Sequence, residues 1–336
     1  MTKLNLDEIE HLTVTALTTC GATPENALSV ARSVRDAEAE GIRNVGLGFV
    51  PLYCQHLIDG KIDGHAKPTI VDQSPSVLRV DAHDGFAHPA YDAAHDLLIA
   101  KAKRCGLAAL SMSNAYYNGV EGYFVRRLAH SGLVALTCTN AVSMVAPYGG
   151  KRPFFGTNPI AFGSPREGKA PLVVDLSTST TAFVNVAAAA SRGEKIPETW
   201  AFDEHGAPTT DAGQGLNGSL QPLGGAKGTG LALMVEILAA GLAGANWSHE
   251  VPGFSDPSAG PPRLGQLYMA IDPDHFADGF LHRVNTMLEQ LEQLEGVRLP
   301  GDRRQSSREQ AELDGIDVDP ELLTSIAQTK AASKSV

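Results

Sequence analysis

The chain of 336 residues has no stretch approaching the roughly 20 uninterrupted apolar residues that span a bilayer. Its first residues, Met1-Thr2-Lys3-Leu4-Asn5, lead directly into an acidic amphipathic segment, which predicts no signal peptide and a cytoplasmic location. Cysteine is scarce. Cys20, Cys54, Cys105 and Cys138 are scattered without a Cys-x-x-Cys pair, which predicts buried free thiols and argues against a disulfide framework or a zinc knuckle. Basic charge is also short, with 27 Lys and Arg against 38 Asp and Glu and a net charge of −11. Without a basic tract, a nucleic-acid partner is disfavoured, because phosphate contacts dominate that affinity. A local basic pocket for a small anion is still compatible with this balance. There is no His/Cys/Glu cluster with metal-ligand spacing, no Gly-x-Ser-x-Gly elbow and no Walker loop, so no metal site, serine hydrolase or P-loop is expected.

What the chain does have is 43% apolar residues, which excludes disorder and supports a real core. Helical signals fill the first 60 residues or so. Thr23-Pro24 reads as a helix start, since the hydroxyl can cap free N–H groups and proline at the first position loses no needed hydrogen bond. Ala27, Val30, Ala31 and Val34 then share one face. From about Ser76, short apolar runs alternate with helical stretches. Strands are expected near 77–80, 107–112, 133–137, 172–174 and 267–271, with helices near 87–104, 119–130 and 229–243. Four Pro and three Gly between 252 and 265 mark a loop, and the chain reads as helical from Asp274 to about Glu295, with a frayed tail. The alternation predicts an α/β (α+β) protein. Residues 71–274 would form a central α/β domain, flanked by a discontinuous helical region from 1–70 and 275–336.

Three Gly-containing segments have the composition of anion sites. Gly224 to Gly230 opens a helix and carries Lys227. Gly149 to Pro159 is a second such loop. Arg298-Leu299-Pro300-Gly301-Asp302-Arg303-Arg304 brings three guanidinium groups onto one turn, and Arg suits bidentate phosphate contact. Taken singly, each is equally readable as an ordinary turn.

Their order says more. Phe155-Gly156-Thr157-Asn158-Pro159-Ile160-Ala161-Phe162-Gly163 precedes Val174-Asp175-Leu176-Ser177-Thr178-Ser179, then Pro222-Leu223-Gly224-Gly225 with Lys227-Gly228, then Leu299-Pro300-Gly301-Asp302-Arg303. This series resembles the malate/L-lactate dehydrogenase family that lacks a Rossmann fold, and within it the piperideine-2-carboxylate/pyrroline-2-carboxylate reductases. The resemblance runs from about Asn26 to Arg304. It implies that family's fold, a mixed central sheet flanked by helices from both termini, together with a nicotinamide cofactor and a homodimer. The implied cofactor contacts are Tyr117, Asn118, Gly119, Val120, Glu121, Asp175, Leu176, Ser177, Ala226, Lys227, Arg298, Leu299, Pro300, Gly301, Asp302, Arg303 and Arg304. The Arg-rich segment is similar to that of NADPH-preferring members, which favours NADPH over NADH. The implied substrate pocket is Asn44, Val45, Phe49, Thr157, Phe183, Val184 and Asn185.

The chain departs from the family pattern in its acid/base residues. Where members carry Ser-His-Gly and an Arg four residues past the His, this sequence has Asn44-Val45-Gly46 and Phe49. The Asp expected ten residues after Asp175 is Asn185, the His of Gly-His-Lys-Gly is Ala226, and another family His is Tyr117. Val45 cannot donate a proton, and a substrate carboxylate facing Phe49 would lose a charge-assisted pair while keeping its desolvation cost. An iminium already carries its proton, so hydride delivery to it needs no general acid. The expected function is therefore NADPH-dependent reduction of a cyclic imine or related C=N substrate in a remodelled apolar pocket. A member that keeps the nucleotide site but serves a cyclase, binding or regulatory role is the alternative, and a 2-oxo acid/2-hydroxy acid dehydrogenase is the third reading. Tyr117 is the best remaining donor, its pKa open to lowering by Lys227 or by the cofactor ribose. His88 reads as a satisfied or surface side chain.

Overall fold

Thr23 opens its helix as the sequence predicts: Oγ1 accepts a hydrogen bond from Asn26 N at 3.2 Å, with Pro24 at the first position. In the computed structural model, which describes residues 1–254 and 256–333, this is the second of three N-terminal helices. The order is β1 (Thr2–Leu4), α1 (Leu6–Thr19), α2 (Pro24–Ala39) and α3 (Val50–Ile58). Asn5 and Glu8 form a reciprocal capping box on α1. Ala27, Val30, Ala31 and Val34 are all buried.

The central part begins with β2 (Thr69–Ser74), β3 (Val77–Asp81), α4 (Ala87–Cys105), β4 (Leu107–Ala115), α5 (Glu121–His130) and β5 (Val134–Thr139). It continues through β6 (Ile160–Ser164) and β7 (Leu172–Leu176). A small lobe follows, made of α6 (Phe183–Ser191), β8 (Ala201–Phe202), β9 (Pro208–Thr209), α7 (Ala212–Asn217) and β10 (Ser219–Leu220). Then come α8 (Ala226–Glu236), β11 (Leu264–Ile271), α9 (Phe280–Glu292), α10 (Asp302–Asp314), β12 (Ile316–Val318) and α11 (Pro320–Ser333).

Seven strands form one mixed sheet in the order β2-β3-β4-β11-β5-β6-β7. Only β3 and β4 are parallel; β11 returns late in the chain and runs antiparallel to both β4 and β5. Its Tyr268 meets the rings of Tyr91 and Phe124 at 4.8 and 5.3 Å, beneath α4 and α5. Gly163 lets the sheet approach α5 closely, since a Cβ there would sit 2.7 Å from the Val125 carbonyl oxygen. A second core joins α1–α3 with Ala311, Ile316, Val318 and Ile326, so helices from both ends of the chain share one interior. The antiparallel pairing of β1 with β12 ties the two termini together.

Several sequence expectations shift. The helix expected from 229 begins at Ala226 and passes into a π-helical turn over Ile237–Gly241. The Arg-rich segment is only partly a turn, because Arg303 and Arg304 stand in the first turn of α10. β2, β6, α6 and β12 lie where no element had been assigned, α10 and α11 fall within the stretch 275–336 expected to be helical, and the tail read as frayed continues as helix to Ser333. Cys105 is exposed, whereas the other three thiols are buried.

Candidate functional site

The turn after β4 carries Tyr117 to Val120 and feeds directly into α5. Beside it, Asp175 at the end of β7 accepts from Gly122 N at 3.2 Å and from Arg304 Nη1 at 2.9 Å. Gly301 packs on the same strand, where a Cβ would lie 3.1 Å from the Val173 carbonyl oxygen. Three segments far apart in sequence, 117–121, 175–177 and 298–304, therefore converge at one place. The pairing of Asp175 with Arg304 could not be read from the sequence, which offered each as a separate cofactor contact. Asp302 is likewise engaged, since its Oδ2 accepts from Leu299 N at 3.1 Å. Arg298, Pro300 and Arg303 are exposed, and Leu299 is buried.

Beyond β7 the chain links the remaining residues that the resemblance implies for the cofactor. Thr178 N donates to Thr157 O at 2.8 Å, and Leu223 N donates to Thr178 O at 2.9 Å. Ser177 and Ser179 bond to each other through their hydroxyls at 3.0 Å. Leu176 is exposed at the strand end. Gly224 and Gly225 hold φ of +59° and +64°, a left-handed pair that turns the chain into α8. No side chain caps this helix, and Ala226 and Lys227 are exposed at its start.

The Glu121 side chain lies in the interior. It is 1% exposed, and its Oε2 accepts from Thr137 Oγ1 at 3.1 Å while Oε1 has no partner. Its side chain is therefore unavailable to a cofactor, and only its backbone at the helix start can serve. Burial, then the nearby Asp175 charge, pushes its pKa up to about 8. Asn118 and Val120 are buried too. His88 is neither satisfied nor on the surface: it is 1% exposed, and neither ring nitrogen has a well-formed hydrogen bond. Burial lowers its pKa to about 4, with Asp92 opposing.

Apart from Thr157, which lies between β5 and β6, the implied substrate residues fall into two groups. Asn44, Val45 and Phe49 lie on two 3₁₀ turns between α2 and α3. Glu38 fixes this corner, accepting from Leu47 N at 2.7 Å, and a Cβ on Gly46 would collide with its carboxylate at 2.3 Å. From Phe49 an aromatic wall runs through Tyr53 (5.1 Å), Tyr116 (5.8 Å) and Tyr117 (5.0 Å) to Phe254 (4.4 Å, stacked). His56 stacks on Phe254 and its Nδ1 lies 2.7 Å from Tyr116 Oη. Lys61 Nζ donates to Phe254 O at 2.8 Å. Phe254 was missed because it sits in the Pro-rich loop, where composition gives no sign that a ring folds back inward.

Burial raises the Tyr117 pKa, with the backbone of Val142 opposing. The expected lowering by Lys227 does not occur, because Lys227 stands exposed at the start of α8. The phenol stays protonated and can donate a hydrogen bond. The second group, Phe183, Val184 and Asn185, opens α6 in the small lobe, with Asn185 Nδ2 donating to Thr181 Oγ1 at 3.0 Å. No hydrogen bond or ring contact joins it to Val45 or Phe49 among the described residues.

A dinucleotide fits this arrangement. The uncapped start of α8, with open space at Gly224 and the exposed cation Lys227, suits a diphosphate. Asp175 offers a carboxylate to ribose hydroxyls. Among the described residues no group of three or more His, Cys, Asp or Glu can hold a metal ion, and no helix is long and apolar enough to cross a membrane.

Comparison with known proteins agrees with this geometry. The family model described as malate/L-lactate dehydrogenase matches residues 4–327. The chain is 44% identical over 305 residues to a (2R)-3-sulfolactate dehydrogenase (NADP(+)) of Chromohalobacter salexigens, covering 91% of each chain. It is 41% identical over 298 residues to a Δ1-pyrroline-2-carboxylate/Δ1-piperideine-2-carboxylate reductase of Pseudomonas syringae pv. tomato, covering 88% of this chain and 87% of that one. A crystal structure of Δ1-piperideine-2-carboxylate reductase from the same organism superposes with a TM-score of 0.94 at 37% identity, over 98% of this chain and 100% of the other. From its sequence, its sheet order and these relatives, the chain belongs to the malate/L-lactate dehydrogenase family.

Proposed function

We propose that the protein is an NADPH-dependent reductase of a cyclic imine or related C=N substrate. The observation that carries this reading is the wall Phe49–Tyr53–Tyr116–Tyr117, continuous from the 3₁₀ turns to the nucleotide-side loop and free of any guanidinium or imidazole at positions 45 and 49. The relatives named as imino acid reductases and as an NADP(+) dehydrogenase support the class of chemistry and the cofactor. NADPH, when bound, supplies the hydride. The residues proposed to hold it are those around Tyr117–Glu121, Asp175–Ser177, Ala226-Lys227 and Arg298–Arg304.

The chain's own part is to orient the substrate and exclude water. The part-exposed faces of Phe49 and Tyr117, backed by the buried Tyr53 and Tyr116, favour a flat apolar ring, and a cation held against them gains cation–π attraction of about 2 kcal/mol when desolvated. The substrate iminium brings its own proton, so the amine product leaves neutral and Val45 need donate nothing. Tyr117, protonated and stacked on Phe254, is proposed as a hydrogen-bond donor to the ring substituent. Thr157, just before β6, and Phe183, Val184 and Asn185, at the start of α6, are proposed to close the pocket. The helices joined by the core of both termini, 1–70 with 275–336, and the sheet-bearing segment 71–274 are proposed as two domains.

A second reading follows from the sulfolactate dehydrogenase relative: a 2-oxo acid/2-hydroxy acid dehydrogenase. Following NADPH oxidation at 340 nm against cyclic imines, with pyruvate, 3-sulfopyruvate and pyrroline-2-carboxylate as comparisons, separates the two. Preference for imines without a carboxylate supports the proposal, and efficient turnover of the acids overturns it. Tight NADPH binding without oxidation of any substrate points instead to a non-redox role.

We also propose a homodimer. Leu233, Met234, Ile237 and Leu242 are 44–60% exposed along α8 and its π turn, an apolar face that a second copy can cover.

A further inference from the structure

A polar cavity lies beside the converging segments. It encloses about 430 Å³ between the β6–β7 hairpin, the C-terminal part of α9 and the first turn of α10. That volume is within the usual range for small-molecule sites. Four cations line it: Arg126, Arg166, Lys169 and Arg304. Two of them are committed, because Arg126 pairs with Asp36 and Glu40 and Arg304 pairs with Asp175. Arg303 does not line the cavity.

The other two are differently placed. Arg166 Nη2 donates to Glu292 Oε1 at 2.9 Å, and Lys169 Nζ donates to Glu292 Oε2 at 3.2 Å. One carboxylate thus serves two cations. The Arg166 side chain is only 8% exposed, yet its Nε has no hydrogen-bond partner. A guanidinium buried with one donor unsatisfied is a group prepared for an acceptor with more oxygens than a carboxylate has. Of the remaining acids, Glu40 pairs through Oε1 with Arg126 and Arg308 while its buried Oε2 has no partner, Asp302 accepts from Leu299 N, and Glu309 accepts from Gln305.

We propose that this cavity takes the adenosine 2′-phosphate end of NADPH, with Arg166 and Lys169 holding the phosphate in the place Glu292 occupies. The inference rests on the dinucleotide reading above and moves the choice of NADPH over NADH from the Arg303/Arg304 pair to the β6–β7 hairpin. A phosphate monoester brings a charge of about −1.5 to −2 and three acceptor oxygens, enough to engage Nε and Nη2 of Arg166 and the Lys169 ammonium together. NADH, carrying a hydroxyl there, leaves the Glu292 pairs undisturbed.

Direct titration of the full-length protein with NADPH and NADH tests this without turnover, read by calorimetry or by nucleotide fluorescence. Arg166→Gln with Lys169→Gln should weaken NADPH roughly 10- to 100-fold, the scale of losing charge-assisted hydrogen bonds, and change NADH less than about threefold. Glu292→Gln should tighten NADPH and leave NADH unchanged. Adenosine 2′-monophosphate should compete with NADPH in the wild type, and adenosine 5′-monophosphate should compete far less. Should the double variant fail to fold, Lys169→Gln alone, at a half-exposed position, should still lower the NADPH/NADH preference several-fold. Equal losses for the two nucleotides, or an unchanged preference in these variants, overturn the assignment to the hairpin while leaving the dinucleotide reading intact. A wild type that binds neither nucleotide overturns both.

Discussion

Replacing Glu121 by Gln should abolish a stability loss that the wild type shows as pH rises from 6 to 8. Glu121 is 1% exposed, it stands near the Asp175 charge, and one carboxyl oxygen has no partner, so the folded protein holds it as the neutral acid up to about pH 8. The unfolded chain releases that proton at the ordinary glutamate value of 4.5. A raised folded pKa means that the native state binds the extra proton. Its stabilising contribution is complete below pH 4.5 and lost progressively as pH rises to about 8. At about 1.4 kcal/mol per pH unit, the loss between pH 6 and 8 comes to about 2 kcal/mol. Urea denaturation at several pH values, comparing wild type with Glu121→Gln, isolates this contribution because all other titrations are shared. Gln keeps the size and the acceptor for Thr137 but does not titrate. His88 runs in the opposite sense: its pKa of about 4 makes stability fall as pH drops below 6.5, a separate window largely removed by the comparison. Parallel pH curves for the two proteins would refute the assignment of a neutral, buried Glu121.

Other perturbations test the fold and the pocket. Gly163→Ala should cost about 1–3 kcal/mol in chemical denaturation, because backbone atoms of Val125, at 2.7 Å from the new methyl, cannot yield without moving α5 off the sheet. Thr23→Ala should cost about 1 kcal/mol by removing the cap on Asn26 N, and an unchanged midpoint would contradict that role. Combining Val45→His with Phe49→Arg should bring measurable reduction of pyrroline-2-carboxylate in a steady-state assay, since both positions lie on the corner fixed by Glu38. Ile237→Glu, at a position 52% exposed, should shift sedimentation toward the 35.4 kDa monomer if the α8 face joins two copies.

Local signals in this chain were legible because they depend on neighbours within a few residues. The Thr23-Pro24 start, the apolar stripe of α2, the Gly224-Gly225 turn and the ordered family motifs all rest on spacing that any reader of the sequence can check. The loss of ionisable groups at 45, 49 and 185 is equally plain, as residue identity alone decides whether a proton can be given. Partnership across long separations is not encoded that way. Nothing near Asp175 says that Arg304, 129 residues later, will take its charge, and nothing near Glu121 says that β7 will bring a second carboxylate beside it. Both follow from the sheet, which places the β7 end against the α5 start only after β11 has entered between β4 and β5. Phe254 returning to stack on Tyr117, and Arg166 and Lys169 sharing Glu292, are likewise products of packing. The sequence determined which chemistry the side chains can perform; the tertiary structure decided which of them are buried, paired or left free, because burial and Coulomb energy depend on distances that only the folded chain sets.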